Sequence, residues 1–343
     1  MTKTYLRPLS LSYGSDAVSL ISQGLAGSLG GMRDIAFSLV EKIERDGKTI
    51  SRSIHPYTEY KNHPSVSEIS RARSYDRTQI MGIVNVTPDS FSDGGQHSDS
   101  ERAIAHGRLL AEQGAQILDV GGESTRPGSD EVSLDEERAR VMPMIAALAK
   151  DHVVSIDTRK PELMAEAKTL GAGIINDVSA LGFSEKSLRV AAELQLPVIL
   201  MHAQGEPRTM QLAPKYQDVV LDVYEFLEAR IDACVAAGIP KSLITVDPGI
   251  GFGKTIHHNL ELLRQLTIFH GLGVNLLVGL SRKNMVGVLT GEKTAAKRVA
   301  GSVGGALQAA LMGAHLLRVH DVKETVDALA VFSAALQPDL AAV

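Results

Sequence analysis

The sequence predicts an α/β protein, a (β/α)8 TIM barrel with an N-terminal extension, and three observations predict it. From residue 79 onward, short runs rich in Val, Ile and Leu alternate with longer segments of helical periodicity, the pattern of βα units around a parallel sheet. Eight such units can be counted, which favours a closed barrel over an open doubly wound sheet. The apolar runs are also nearly unbroken, as strands covered on both faces should be.

Taken in order, the expected strands span 79–86, 116–120, 153–157, 173–177, 197–201, 243–247, 275–280 and 315–319. Helical periodicity between them is clearest at 99–113, 134–149, 160–170, 216–237 and 294–313. The barrel is expected over residues 79–343. Residues 1–78, an extension and linker, stay outside this rhythm. Ala17, Leu20, Ile21 and Leu25, with Phe37, Leu39 and Val40, point to ordered structure there, whereas the polar stretch Ser51 to Arg77, carrying Pro56 and Pro64, reads as a loop or linker.

Composition excludes several classes. A chain of 343 residues with 44% apolar and 22% charged residues can bury a large core and is not disordered as a whole. A net charge of -5 offers no electrostatic footprint for nucleic acid, so any anion site must be local. No run approaches the roughly 20 apolar residues that span a bilayer, and the N-terminus lacks the order of a signal peptide. The single cysteine, Cys234, lies in helix-like surroundings and reads as a packed small residue in a reducing compartment. A soluble cytoplasmic protein, bound to neither nucleic acid nor membrane, is therefore expected.

The polar residues are informative by position. Asn85, Asp119, Asp157, Asn176 with Asp177, His202, Asp247, Lys283 and His320 sit at or just beyond the C-terminal ends of expected strands. In such barrels that face carries the active site. A lone Asp there reads equally well as a helix cap. Capping does not, however, call for lysine, arginine and histidine at the same rim. The loops 87–95 and 121–129 are long, polar and glycine-containing. Arg126, Lys283, Arg318 and His320 would gather positive charge at one side of the mouth, where such barrels often bind phosphate. Asp157, Asn176 and Asp247 suit a flat nitrogen heterocycle with amino and lactam groups, because a carboxylate can accept two parallel N–H bonds. A metal is the alternative for this trio, although no His lies at ligand spacing within it.

At these residues the sequence closely resembles the dihydropteroate synthase family, over about Ile80 to Leu329. The motifs are MGIVNVTPDSFSDGG from Met81, LDVGGESTRPGS from Leu118, SIDT from Ser155, IINDV from Ile174, MHAQGEPRTMQ from Met201, DPGIGFGK from Asp247, SRK from Ser281 and RVHDV from Arg318. The resemblance implies condensation of 6-hydroxymethyl-7,8-dihydropterin pyrophosphate with p-aminobenzoate, Mg2+ as cofactor, a homodimer and a sulfonamide target. It implies that Asp157, Asn176, Asp247 and Lys283 bond the pterin, with Met201 and Phe252 packed on its ring and Arg318 over it. Asn85 would help bind Mg2+ and diphosphate, while Arg126, Arg318 and His320 would hold the departing diphosphate. Ser90, Phe91, Thr125 and Pro127 would close over p-aminobenzoate.

Two positions depart from the family pattern. Asn284 stands where the family usually has Ser after the SRK lysine, to receive the p-aminobenzoate carboxylate; its amide can still donate. Ala203 stands where Met is common. The rival readings are a methyltetrahydrofolate methyltransferase-type pterin barrel, which would not need STRPG, SRK and RVH together, and a catalytically idle pterin-binding relative, which should have lost part of the polar set.

Overall fold

The computed structural model describes residues 2–86, 96–124, 131–205, 210 and 213–336. The chain opens with β1 (Lys3–Tyr13), α1 (Gly14–Ser22), β2 (Gly27–Ser28), β3 (Ile35–Asp46) and β4 (Thr49–Pro56), followed by the short helices α2 (Tyr57–Tyr60) and α3 (Pro64–Ser70). The long strand β3 pairs antiparallel with β1 on one side and with β2 and β4 on the other. Leu6, Leu29, Met32, Phe37, Val40, Val66 and Ile69 form a core of their own beneath this sheet. Ser51 to Arg77 is thus not a plain loop. The β3–β4 hairpin turns at Gly47–Lys48, where Asp46 pairs with Thr49 and Gly47 takes a φ of 59°. A glycine at the first of two loop residues is a hairpin signal. It went unread because β4 faces mostly solvent and has no apolar alternation to announce it.

Eight parallel strands then close on themselves: β5 (Gln79–Asn85), β6 (Ile117–Gly121), β7 (Val153–Asp157), β8 (Ile174–Asp177), β9 (Val198–Met201), β10 (Ile244–Asp247), β11 (Asn275–Val278) and β12 (Leu316–Val319), with β12 pairing back to β5. Each lies within two residues of its expected position. The outer layer is α4 (Gln96–Glu112), α5 (Leu134–Leu148), α6 (Pro161–Thr169), α7 (Glu185–Leu194), α8 (Val219–Ala236), α9 (Ile256–Arg264), α10 (Asn284–Thr290), α11 (Val299–Leu311) and α12 (Val322–Leu336). Side chains begin several of these helices: Asp218 accepts from the N–H groups of Val220 and Leu221, and Thr255 with His258 forms a reciprocal cap.

Strand alternation sorts the residues into two sets. Outward positions such as Leu118, Val120, Val154, Ile156, Ile175, Leu200, Val246 and Val278 join the helices in the main core. Met81, Ile117, Ile174, Ile199, Leu277 and Leu316, from six strands, form a separate apolar layer inside the barrel with Tyr75 against it. Because successive side chains alternate, the next inward positions along these strands are Ile83, Asp119, Asn176, Met201 and Arg318. Asp157 pairs in register with Asn176, and Asp247 with Met201, so these carboxylates share the inward face. An apolar floor therefore supports a polar storey at the C-terminal ends of the strands. Cys234 is buried in the outer core, and burial raises its thiol to about 11, which fits a packing residue.

The N-terminal sheet packs at the opposite end. His315, just before β12, takes the Leu276 N–H on Nδ1 at 3.0 Å and donates from Nε2 to the Gly30 carbonyl at 2.9 Å. Arg73 donates to the Val274 carbonyl at 3.1 Å, just before β11. Further along, Thr267 donates to the Pro8 carbonyl (2.9 Å), while Arg45 pairs with Asp222 (2.7 Å) and Arg52 with Asp218 (3.0 Å) on α8 and its cap. These contacts buttress the outside and bottom of the barrel. A chain beginning at Tyr75 is expected to melt at a lower temperature while keeping its kcat per folded molecule. Lost turnover in such a chain, still folded by circular dichroism, would instead place a catalytic group in the extension.

Candidate active site

The polar storey is organised around Arg318. Its Nε donates to Asp119 Oδ2 at 2.6 Å and its Nη2 to Asp157 Oδ2 at 2.7 Å. Asn176 Nδ2 donates to the same Asp119 oxygen at 3.1 Å. Four strands, β6, β7, β8 and β12, are thus tied through side chains inside the barrel. Burial opposes the arginine charge, but Asp119 and Asp157 more than offset it, and its affinity for the proton is raised. Burial pushes the Asp157 carboxyl up to about 7; Arg318 opposes this rise and the neighbouring Asp119 charge adds to it.

A second group stands on β10 and the segment after β11. Asp247 accepts the Gly249 N–H on Oδ1 at 2.7 Å. Burial raises its carboxyl, against the pull of Lys283 and that N–H. Lys283 donates to the Ile250 carbonyl and lies 4.5 Å from the centre of the Phe252 ring, a cation–π contact. Burial lowers its ammonium to about 8, with Asp247 working the other way. The turn after β10 can take this path only with glycine at 249: its φ is +68°, and a Cβ there would stand 1.9 Å from the His202 carbonyl oxygen.

Lys254 clamps this turn. Its buried Nζ donates to the carbonyls of Gly249 (2.9 Å), Phe252 (3.0 Å) and His202 (3.3 Å), and lies 2.8 Å from His202 Nδ1. Burial and the adjacent Lys254 hold His202 down at about 3, so that ring is neutral and serves the clamp. Asp177 is likewise structural, since its carboxylate accepts from Ser179 N and Oγ (2.7 and 2.6 Å) and Leu181 N (3.1 Å) in the turn after β8. Asp177 therefore closes the turn after β8 and does not cap a helix, since the N-cap of α7 is Ser184, whereas Asp157 and Asp119 meet an arginine.

The structure thus brings Asp157, Asn176, Asp247, Phe252, Lys283 and Arg318 to one end of the barrel, with Met201 beside Asp247 in the ladder. His320, past β12, meets the SRK turn: Ser281 Oγ lies 3.1 Å from both its backbone nitrogen and Nδ1. Asn85 ends β5, which β12 neighbours, and Asn284 is the exposed first residue of α10. Ser90, Phe91, Thr125, Arg126 and Pro127 lie outside the described residues. Two residues with clear work were left unassigned by sequence reasoning: Asp119, seen at its strand end, and Lys254. For Asp119 the usable signal was alternation, which puts it two residues above the floor residue Ile117. Among the described residues no group of three or more His, Cys, Asp and Glu side chains is arranged to hold a metal ion.

Fold and rim together define an eight-stranded barrel with a buried polar cluster at its C-terminal mouth, and comparison with known proteins gives its class. The family model described as "Pterin binding enzyme" matches residues 81–320. The dihydropteroate synthase of Escherichia coli K12 is 51% identical over 259 residues, 75% of this chain and 91% of that protein. That of Neisseria meningitidis serogroup C is 51% identical over 263 residues, 76% and 93% of the two chains. Among solved structures, Xanthomonas albilineans dihydropteroate synthase with 4-aminobenzoic acid is 52% identical, covers 76% of this chain and 93% of its own, and superposes with a TM-score of 0.72. The same enzyme in complex with 7,8-dihydropteroate is 50% identical, covers 76% and 94%, and scores 0.70. The chain belongs to the dihydropteroate synthase family.

The two shifted groups predict the pH profile. As pH rises through about 7 Asp157 ionises, and above about 8 Lys283 loses its charge. The kcat/KM for the pterin substrate should therefore rise and then fall. Arginine stays charged to about pH 12 and beyond, so Lys283→Arg should abolish the alkaline fall, whatever it does to the maximum. An alkaline limb of unchanged midpoint in that variant would show that Lys283 does not cause it.

Proposed function

We propose that the rim described above performs the family's reaction, condensing 6-hydroxymethyl-7,8-dihydropterin pyrophosphate with p-aminobenzoate to give 7,8-dihydropteroate and diphosphate. The observation that carries this reading is the convergence of Asp157, Asn176, Asp247, Lys283 and Arg318 above an apolar floor at the C-terminal mouth of the barrel. Asp157, Asn176, Asp247 and Lys283 hold the pterin edge, and Met201 and Phe252 pack against its faces. Arg318 has its Nε and Nη2 committed to Asp119 and Asp157. Its flat face and remaining amino group serve the ring and the diphosphate.

In the reaction the bond between the pterin methylene carbon and the diphosphate oxygen breaks, and the aniline nitrogen of p-aminobenzoate bonds to that carbon and gives up a proton. Positive charge develops on the pterin, close to Asp119, Asp157 and Asp247, one more carboxylate than the cations Arg318 and Lys283 beside them. A low-dielectric floor makes that charge difference count for more than it would in water. Arg126, Arg318 and His320 receive the departing diphosphate. Mg2+ normally takes one or two protein oxygens together with substrate phosphate oxygens and water, and the Asn85 amide oxygen at the rim is a donor of that kind. When bound there, the ion would offset the negative charge accumulating on the leaving group.

Ser90, Phe91, Thr125 and Pro127 complete the p-aminobenzoate side, with Asn284 at the start of α10 donating to the carboxylate. The fit to a sulfonamide, which resembles this substrate, follows from the same residues; the related Yersinia pestis enzyme is known in a sulfonamide drug complex. We place the enzyme in the cytoplasm as a homodimer. The one buried thiol supports the first; the second follows from the family resemblance, since the small-residue segment 299–314 packs Ala306, Ala309, Ala310 and Ala314 into the main core of its own chain. No helix among the described residues is long and apolar enough to cross a membrane.

Purified protein given the pterin pyrophosphate, Mg2+ and labelled p-aminobenzoate should form labelled dihydropteroate and release diphosphate. In that assay Asn284→Ser should alter KM for p-aminobenzoate alone, by about two- to tenfold, the worth of one exposed hydrogen bond. An unchanged KM would make Asn284 neutral, and absent turnover with pterin still bound would favour the idle relative.

A further inference from the structure

Asp119 touches no substrate in the scheme above, yet it is fully buried in the polar storey of the site. One of its oxygens, Oδ2, accepts from both Arg318 Nε and Asn176 Nδ2. The other, Oδ1, is buried and has no partner among the described residues. An ionised carboxylate can only accept hydrogen bonds, whereas a carboxamide offers a donor at one end and an acceptor at the other. The Asn176 amide therefore has one permitted orientation. Its NH2 must face Asp119, and its Oδ1 is the end left for a ligand. The amide torsion of Asn is broad and roughly two-fold, so without such a partner the group could turn over and present either end.

We infer that Asp119 is a positioning residue that fixes Asn176 as a hydrogen-bond acceptor, so that Asn176 and Asp247 together select a ring edge rich in N–H donors. The inference rests on the assignment of Asn176 to the heterocycle. It predicts that the site takes a 2-amino-4-oxo pteridine in preference to its 2,4-dioxo counterpart, in which a carbonyl oxygen replaces the amino group and the adjacent N1 carries a hydrogen. Opposed acceptors in a buried pocket leave both unsatisfied, and polar sites reject such analogues strongly.

The arrangement separates orientation from charge. In Asp119→Asn the carboxamide oxygen can stand in the place of Oδ2 and still accept both bonds, with its NH2 on the side that has no partner. In Asp119→Ala nothing holds the Asn176 NH2. The test is calorimetric binding of 6-hydroxymethylpterin and 6-hydroxymethyllumazine to the full chain and three variants, Asp119→Asn, Asp119→Ala and Asn176→Ala. The native protein should prefer the pterin by about tenfold or more, Asp119→Asn should keep most of that preference, and Asp119→Ala should lose about tenfold of it. If Asp119→Ala does not fold, Asp119→Leu, which fills the buried slot with an apolar group of similar size, carries the same expectation. A preference retained in the Ala or Leu variant, or lost as fully in Asp119→Asn, overturns the inference. Should Asn176→Ala leave pterin affinity untouched, the assignment of Asn176 to the ring fails; weakened pterin binding there, with selectivity intact in Asp119→Ala, removes only the role given to Asp119.

Discussion

The guanidinium of Arg318, held between Asp119 and Asp157, is the contact on which the rest of the site depends. Three carboxylates share the upper storey of this barrel, and beneath them lies a layer of methionine, isoleucine and leucine. Isolated charges in such surroundings would give up their ionisation, as the raised Asp157 and Asp247 carboxyls already indicate. Arg318 opposes that tendency at Asp157. Through Asp119 it also reaches Asn176, so one side chain on the last strand sets the arrangement of residues on three earlier ones.

The fold divides its labour between two ends. The N-terminal sheet and the Arg73, His270 and His315 region fasten the bottom of the barrel, where Tyr75 meets the apolar layer. At the top, Lys254 gathers carbonyls from the segments after β9 and β10 and keeps Asp247, Phe252 and Lys283 in a common setting. A rigid floor and a clamped turn leave the chemistry to side chains whose positions are set before substrate arrives, which is how electrostatic stabilisation of a developing charge is made effective.

Much of this was legible in the sequence because strand and helix obey simple periods. Unbroken apolar runs located the eight barrel strands, and the polar residues at or just beyond most of those ends marked the rim. Asp119, Asp157 and Asp177 look alike at that level: each is an aspartate at a strand end. What separates them is the partner. Asp177 meets the N–H groups of its own turn, whereas Asp119 meets an arginine 199 positions later, and no local pattern reveals a partner that distant. Lys254 was hidden for the same reason, since its ligands are main-chain oxygens brought together only by the fold. Strand β4 carries no such signal because its residues face solvent and show no apolar alternation, although Gly47 at the head of the two-residue loop marks the turn before it.

The most direct measurement is a crystal structure of this chain with 6-hydroxymethylpterin pyrophosphate bound. The heterocycle should lie above the Met81 to Leu316 layer, its N–H edge on Asp157, Asn176 and Asp247, with the diphosphate directed to Arg318 and His320. A ring seated outside that space, or one whose edge meets none of those three side chains, would contradict the account.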